Sequence, residues 1–352
     1  MKIDGLIRDP IFQTNLLVWM ATPQPAEGCC VSPLFAEHGF GLLYVEQPFP
    51  FPAETRNAID AAADRIEISI HPEPDLILKR DADQQALYFE AKANSFSADS
   101  PKPAKQARAH LLASGPPFAE VYRPLRQSTL TYVVPEAARA QMATCLTSLS
   151  AQMESSGFNP ASWSVGGLSA GANAISYHVD PVGAAVLGCA ASTFPLITGI
   201  ADDTDPSPLL LVYSDQDCPS EERAGHYRRA LQNQVLACLL CELHQRQETA
   251  PVELSAADLL MLATNGVFGF TGRERQRGME RLISENIFRR IVEYWKERVP
   301  DLIRVDRRIL RFDFQNDARK EQFMDWLESR RTGFDDTKVV GESNQPELFP
   351  AG

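Results

Sequence analysis

The chain has 352 residues, room for two or three domains of ordinary size, and its 44% hydrophobic and 23% charged content is that of a globular protein with a large core. No apolar run approaches the length of a membrane span, and no apolar stretch of a secretory signal follows Met1-Lys2-Ile3-Asp4, so a cytoplasmic protein is expected and a membrane partner is not. The net charge of -12 excludes a uniformly basic nucleic-acid binder, yet Arg273 to Arg311 holds twelve Lys/Arg against seven Asp/Glu and leaves the remainder at -17.

Ile11 to Met20 is apolar enough to be a buried segment, ended by Pro23 and Pro25. Gly39 to Val45 predicts a strand, and Glu54 to Ile66 carries apolar residues at helical spacing. Leu76–Lys79 and Ala86–Lys92 are strand-forming runs around a polar break at Asp81 to Gln85, a hairpin signal. Ser95 to Pro103 is a polar loop beside the expected substrate groove, and Lys105 to Ala113 predicts a helix, closed by Gly115-Pro116-Pro117. A strand at Thr129–Val134, a long helix at Pro135–Ser155 and a strand at Trp163–Gly167 extend a mixed sheet with helices on its flanks, to which Ala184–Leu187 and Leu209–Tyr213 are expected to add strands. The fold class is therefore α/β for a first domain, 1–217. Helices at Arg223–His244, Ala256–Ala263, Met279–Arg298 and Ala318–Arg331, with a strand at Ile309–Phe314, predict a mainly helical second domain, 218–332, that admits a winged-helix variant; a polar, mobile tail, 333–352, is expected to follow.

Alternation along the hairpin puts Leu87, Phe89 and Ala91 on one face and Tyr88, Glu90 and Lys92 on the other. If Arg80 lies near Gln85 or Ala86 across the turn, Asp75 lies near Glu90, and two facing carboxylates need a compensating cation, supplied in part by Lys92 and more fully by a divalent metal. Pro74-Asp75 followed by Glu90-Ala91-Lys92 resembles the PD-(D/E)xK nuclease superfamily, and Gln106-x-x-x-His110-Leu111 is similar to the Gln-x-x-x-Tyr-Leu element of its RecB-like branch, with His in place of Tyr. The resemblance covers the first third of the chain. It implies a restriction-endonuclease-like core and a Mg²⁺- or Mn²⁺-dependent nuclease, with Asp75, Glu90 and the Ala91 carbonyl as metal ligands. Lys92 would position the attacking water, Gln106 would orient water or phosphate, and an acidic residue of the first helix, here Glu37, would join the site. It also implies a nucleic-acid substrate, DNA more readily than RNA, in restriction or antiphage defence or in repair, with a defence-system partner or a second copy of the chain. The alternative is a solvated hairpin on which Glu90 and Lys92 form a surface ion pair worth little.

Other motifs compete. Gly167-Leu168-Ser169-Ala170-Gly171 matches the G-x-S-x-G nucleophile elbow of serine hydrolases, and Asp215 or Asp217 with His226 or His244 would complete the order Ser, Asp, His. No Gly-rich oxyanion segment precedes it and the helical C-terminal third does not suit that fold, so a nuclease is the preferred reading. An inactive nuclease-shaped nucleic-acid-binding subunit is the third. Seven scattered cysteines argue for reduced thiols, and Cys238, Cys241 and His244 on one helix face are expected to be buried thiols rather than a zinc site. The basic stretch either contacts nucleic-acid phosphates, through Arg289 and Arg290 above all, or is a salt-bridged solvated helix, since its acids are interleaved at helical spacing. In the tail, Gln345-Pro346-Glu347-Leu348-Phe349 resembles the Gln-x-x-Leu-Phe peptide that docks bacterial replication and repair proteins on the sliding clamp, with Gln345, Leu348 and Phe349 as the contacting residues and Pro346 departing from the pattern.

Overall fold

The structure is a computed structural model that describes residues 3–23, 31–198, 210–213, 218, 220–246, 251–295 and 302–329. Its chain divides into two compact units, one running to Tyr227 and including Leu260–Glu280, the other comprising Arg228–Leu259 and the chain from Arg281.

In the first unit, α1 (Ile3–Leu6) leads into α2 (Pro10–Ala21). Asp9 caps α2 with its side chain, accepting from the Ile11 and Phe12 amides at 3.0 and 3.3 Å, and Pro10 supplies a preset φ at the first helical position. Every residue from Ile11 to Ala21 is buried, so the polar Gln13, Thr14 and Asn15 must find partners inside the protein. Asn15 finds four: its amide nitrogen donates to the Ile11 and Val212 carbonyls, and its oxygen accepts from the Leu211 and Val212 amides. The expected strand at Leu209–Tyr213 is thus not one in its described part; a helix side chain takes the backbone bonds that a neighbouring strand would have taken.

After α3 (Leu34–Glu37), β1 (Gly41–Val45) and α4 (Ala53–Ala61), the hairpin forms from β2 (Leu76–Arg80) and β3 (Gln85–Ala91). Then come α5 (Pro101–Ala113), α6 (Pro116–Val121), β4 (Gln127–Pro135), α7 (Arg139–Ser155) and β5 (Trp163–Ala170). The layer closes with β6 (Ala174–His178), α8 (Pro181–Leu187) and β7 (Thr193–Thr198). The seven strands lie in sequence order, with β3, β4 and β5 parallel and the remaining pairs antiparallel, which gives the expected mixed α/β sheet.

Alternation sorts the side chains onto two cores. Leu87, Phe89 and Ala91 pack with α2, α3 and α8, while Tyr88 packs with α4, α5, α6 and α7 on the other face. Ala184–Leu187 is helix rather than strand. Asp180 caps it by accepting from the Gly183 amide at 2.7 Å, Pro181 opens it, and Gly188 ends it at φ 74°.

The start of α9 (Glu221–Gln245) belongs to this unit because Arg223 and the Tyr227 hydroxyl both reach the buried Asp9 carboxylate, at 2.8 and 2.9 Å. The expected boundary at Asp217 lies outside the described residues. Leu260–Glu280 also joins the unit, where Thr271 bridges Val45 and the Gly272 amide donates to the Val45 carbonyl at 3.0 Å.

The second unit holds a three-stranded antiparallel sheet of β8 (Val252–Ser255), β9 (Ile303–Asp306) and β10 (Ile309–Phe312), with β10 in the middle. Along the chain, α10 (Ala256–Ala263), α11 (Arg273–Ile283), a π-helical turn at Ser284–Phe288 and α12 (Arg289–Trp295) separate β8 from β9, and α13 (Asp317–Ser329) follows β10. Phe323 packs within 6 Å of Trp295, Phe312 and Phe314. Arg307 turns the β9–β10 hairpin at φ 55°, and its carbonyl accepts from the Ser284 hydroxyl at 2.9 Å. No helix among the described residues is long and apolar enough to cross a membrane.

Candidate active site

The β2–β3 register sets the site. Arg80 pairs with Gln85 and Leu76 with Phe89, so Asp75, just before β2, stands across from Glu90. The Asp75 amide donates to the Phe89 carbonyl at 3.1 Å, and the Asp75 Oδ2 accepts from the Ala91 amide at 2.5 Å. Glu90 points into the face packed by α5 and is only 2% exposed. Its Oε1 meets Lys92 Nζ at 2.5 Å and Gln106 Nε2 at 3.4 Å. Among the described residues its Oε2 has no hydrogen-bond partner, and it lies 3.4 Å from His110 Nε2. Gln106 and His110 are one turn apart on α5, which brings both to the same carboxylate.

Burial pushes the Glu90 carboxyl above its usual range, and the neighbouring Lys92 ammonium pulls it back. Burial first, and Lys92 second, lower the His110 imidazole to about 3. His110 is therefore neutral at physiological pH, and its approach to Glu90 is not an ion pair. Burial, with the Glu90 charge next, raises the Tyr88 phenol well above its usual value.

Two further residues close the site from the other side. Gln13, fully buried on α2, donates from Nε2 to the Lys92 carbonyl at 3.2 Å and to the Ile7 carbonyl at 2.7 Å, while its Oε1 has no hydrogen-bond partner among the described residues. Glu46, at 7% exposure, follows β1 directly, donates its amide to the Asp75 carbonyl at 3.1 Å and pairs with Arg275. Glu37 does not join the site. It ends α3 exposed to solvent, before β1 begins opposite Lys79, whereas Asp75 lies beyond the other end of β1, where Val45 faces Leu76. Four steps along a strand span roughly 13 Å. The residue after β1 is the acid at the Asp75 end. Gln13 had a signal in the sequence, being one of three polar residues inside an otherwise apolar helix.

The donor set fits a hard divalent cation: two carboxylates across a strand pair, an orphaned buried oxygen on one of them, and a main-chain carbonyl between Glu90 and Lys92. Among the described residues no group of three or more His, Cys, Asp or Glu side chains gathers as a metal cage, so any cation here draws on backbone and solvent oxygens beside Asp75 and Glu90. The surface-pair alternative does not survive the burial of Glu90.

Ser169 lies inside β5, opposite Ser176 of β6, and the chain turns into a hairpin rather than a helix, so the strand-to-helix elbow is absent. Its partner is neither His226 nor His244. Ser169 Oγ lies 2.8 Å from His178 Nε2, and His178 Nδ1 lies 2.7 Å from the Thr193 hydroxyl. His226 and His244 are carried on α9; Asp215 and Asp217 lie outside the described residues. The expected burial of the α9 thiols is not found, for Cys238 is half-buried and Cys241 exposed. Arg289 and Arg290 open α12, the first exposed and the second half-buried. Gln345, Leu348 and Phe349 lie outside the described residues.

No protein-family model, no curated protein and no solved structure matches the chain.

Proposed function

We propose that the chain is a Mg²⁺- or Mn²⁺-dependent nuclease that hydrolyses phosphodiester bonds, with DNA as the favoured substrate. One observation carries the reading: Glu90, almost wholly buried, is held across from Asp75 with Lys92 at 2.5 Å on one oxygen and, among the described residues, no hydrogen bond on the other. Keeping a carboxylate out of water is costly unless a ligand or partner repays it. The mixed sheet with helices on its flanks, in which β1, β2, β3 and β4 lie adjacent in that order, also supports the reading.

Asp75, Glu90 and the Ala91 carbonyl would hold the cation. When bound, it polarises the scissile phosphate and acidifies a water. The residues then do the rest. Lys92, anchored through its carbonyl to Gln13, presents its ammonium to the negative charge that builds on the phosphate. Gln106, already within reach of Glu90, orients a water or a phosphate oxygen from α5. In the second unit the first strand of the sheet pairs with the third, a connectivity that supports a winged-helix reading, with Arg289 and Arg290 as phosphate contacts. A role in antiphage defence or repair, with a defence-system partner, a second copy or a sliding clamp engaged by the tail, belongs to the same proposal. The test is incubation of plasmid, linear DNA, single-stranded DNA and RNA with and without Mn²⁺, using wild type and Glu90→Ala; cleavage by neither protein on any substrate refutes it.

The hydrogen-bonded Ser169–His178–Thr193 series favours a second reading, a serine hydrolase. Its third member is a neutral hydroxyl, which stabilises an imidazolium less well than a carboxylate. Labelling of Ser169 by a serine-reactive phosphonate tests it.

A further inference from the structure

Beneath α5, three polar side chains form a line: the Tyr88 hydroxyl is 2.9 Å from His110 Nδ1, and His110 Nε2 is 3.4 Å from Glu90 Oε2. Tyr88 and His110 are fully buried and Glu90 nearly so. His110 Nε2 and Glu90 Oε2 are both cut off from solvent, and neither has a hydrogen-bond partner among the described residues. Buried polar atoms of this kind are rarely left unpaired, and here each faces the other. Contacts in unloaded catalytic sites are commonly long and tighten when the site is filled.

A neutral imidazole has one N–H and one lone pair, so its two contacts are coupled. If the Tyr88 hydroxyl donates to Nδ1, the ring hydrogen stands on Nε2 and points at Glu90. The other tautomer requires a protonated Glu90 donating to Nε2, and a protonated carboxyl is a poor cation ligand.

We infer that His110 is a positioning residue for the cation site: its Nε2–H holds Glu90 Oε2, and Tyr88 fixes the tautomer that makes this possible. Glu90 Oε1 keeps Lys92 and Gln106, and Oε2, held through one lone pair by His110, keeps its second lone pair for the cation. The inference rests on the reading of Asp75 and Glu90 as cation ligands. Groups that hydrogen-bond a ligating carboxylate set its orientation and basicity, and losing one costs about 10- to 100-fold in metal affinity.

The experiment uses the full chain. Mn²⁺ binding is measured by calorimetry for wild type, His110→Phe, His110→Gln, Tyr88→Phe and Glu90→Ala, and the His110 tautomer is read by ¹⁵N–¹H correlation. Expected are an Nε2–H tautomer in wild type, about 10-fold or weaker Mn²⁺ binding in His110→Phe, and a smaller loss in Tyr88→Phe. His110→Gln, whose amide can place a donor near the same point, should recover most of the affinity; this rescue separates positioning from packing. An Nδ1–H tautomer overturns the inference, as does wild-type affinity in a folded His110→Phe while Glu90→Ala loses Mn²⁺. Wild-type affinity in Glu90→Ala removes the cation reading itself, and the inference with it. Should His110→Phe fail to fold, the tautomer and the Tyr88→Phe titration still decide.

Discussion

Asp75 is bonded to the strand that carries its partner: its Oδ2 accepts the Ala91 amide at 2.5 Å, one residue beyond Glu90. The side chain therefore has two separable tasks, fixing the end of the hairpin and offering a negative oxygen to a cation. Asp75→Asn keeps an acceptor for the Ala91 amide while removing the charge. It should melt close to wild type and cleave at least about 100-fold more slowly, whereas Asp75→Ala should also lose about 1 to 3 kcal/mol of stability. Glu90→Ala and Lys92→Ala should likewise abolish cleavage, and Lys92→Ala should keep most of the cation affinity. Wild-type cleavage rates in all three alanine variants would dispose of the nuclease assignment.

A second expectation concerns pH. His110 is held neutral in the fold, with its imidazole lowered to about 3 from 6.5, so the unfolded chain binds the extra proton between those values. Where the unfolded state binds more protons, stability rises with pH. The His110 contribution is thus fully favourable above pH 6.5 and declines as the pH falls toward 3, by at most about 1.4 kcal/mol per unit. Thermal melts of wild type and His110→Phe across pH 7 to 4 should show wild type losing stability faster on acidification. Parallel curves would contradict the neutral, buried imidazole.

The hairpin that builds the site was legible in the sequence because period-two alternation and the polar break at Asp81–Gln85 leave little freedom in the register: Arg80 is confined to Gln85 or Ala86, and the structure pairs it with Gln85. The first-helix acid was not. Placing it needs the direction of β1, and since β1 runs antiparallel to β2, the residue after the strand, Glu46, reaches Asp75 and the one before it, Glu37, does not. The Leu209–Tyr213 run differs for another reason: the Leu211 and Val212 amides and the Val212 carbonyl bond Asn15, about two hundred residues away, and nothing local announces that. β6 and β7 escaped notice because they are short and partly exposed and β7 contains Pro195, so neither shows an apolar run. The helix at α8 could have been read correctly, since Asp180, Pro181 and Gly188 are ordinary start and stop signals.

Ser169→Ala removes a hydroxyl held by His178 on the sheet and touches nothing at Glu90. Nuclease activity should stay within about twofold of wild type, with a stability loss of about 1 kcal/mol or less for the missing hydrogen bond. Hydrolysis of a short-chain aryl ester by wild type but not by Ser169→Ala would reverse the ranking of the two enzyme readings.

Gly272 packs against backbone. A Cβ there would overlap the Glu46 carbonyl oxygen, and that carbonyl belongs to the residue whose own amide is bonded to Asp75. Gly272→Ala should cost about 1 to 3 kcal/mol, as overpacking against an unyielding neighbour does, and should weaken cleavage through the displaced end of β1. Unchanged melting and unchanged activity would mean that this end of the strand yields more freely than its packing indicates.

Arg289 is exposed at the start of α12, beside the half-buried Arg290, in the basic stretch of an otherwise acidic chain. If the two bind nucleic-acid phosphates, the double reversal Arg289→Glu with Arg290→Glu should weaken binding to all sequences alike. Every phosphate that the protein ceases to neutralise takes about 0.9 off the slope of log K against log salt for duplex DNA, so the slope should flatten by about 1 to 2. The measurement is a salt titration of duplex binding by anisotropy, in Ca²⁺ to suppress cleavage, with the single reversal Arg65→Glu as a control on the α4 side of the first unit. Reversal at Arg65, beside Asp64 on the surface, should leave the slope within error of wild type. An unchanged slope in the double reversal, or an equal change at Arg65, would show that general charge and not this pair governs binding.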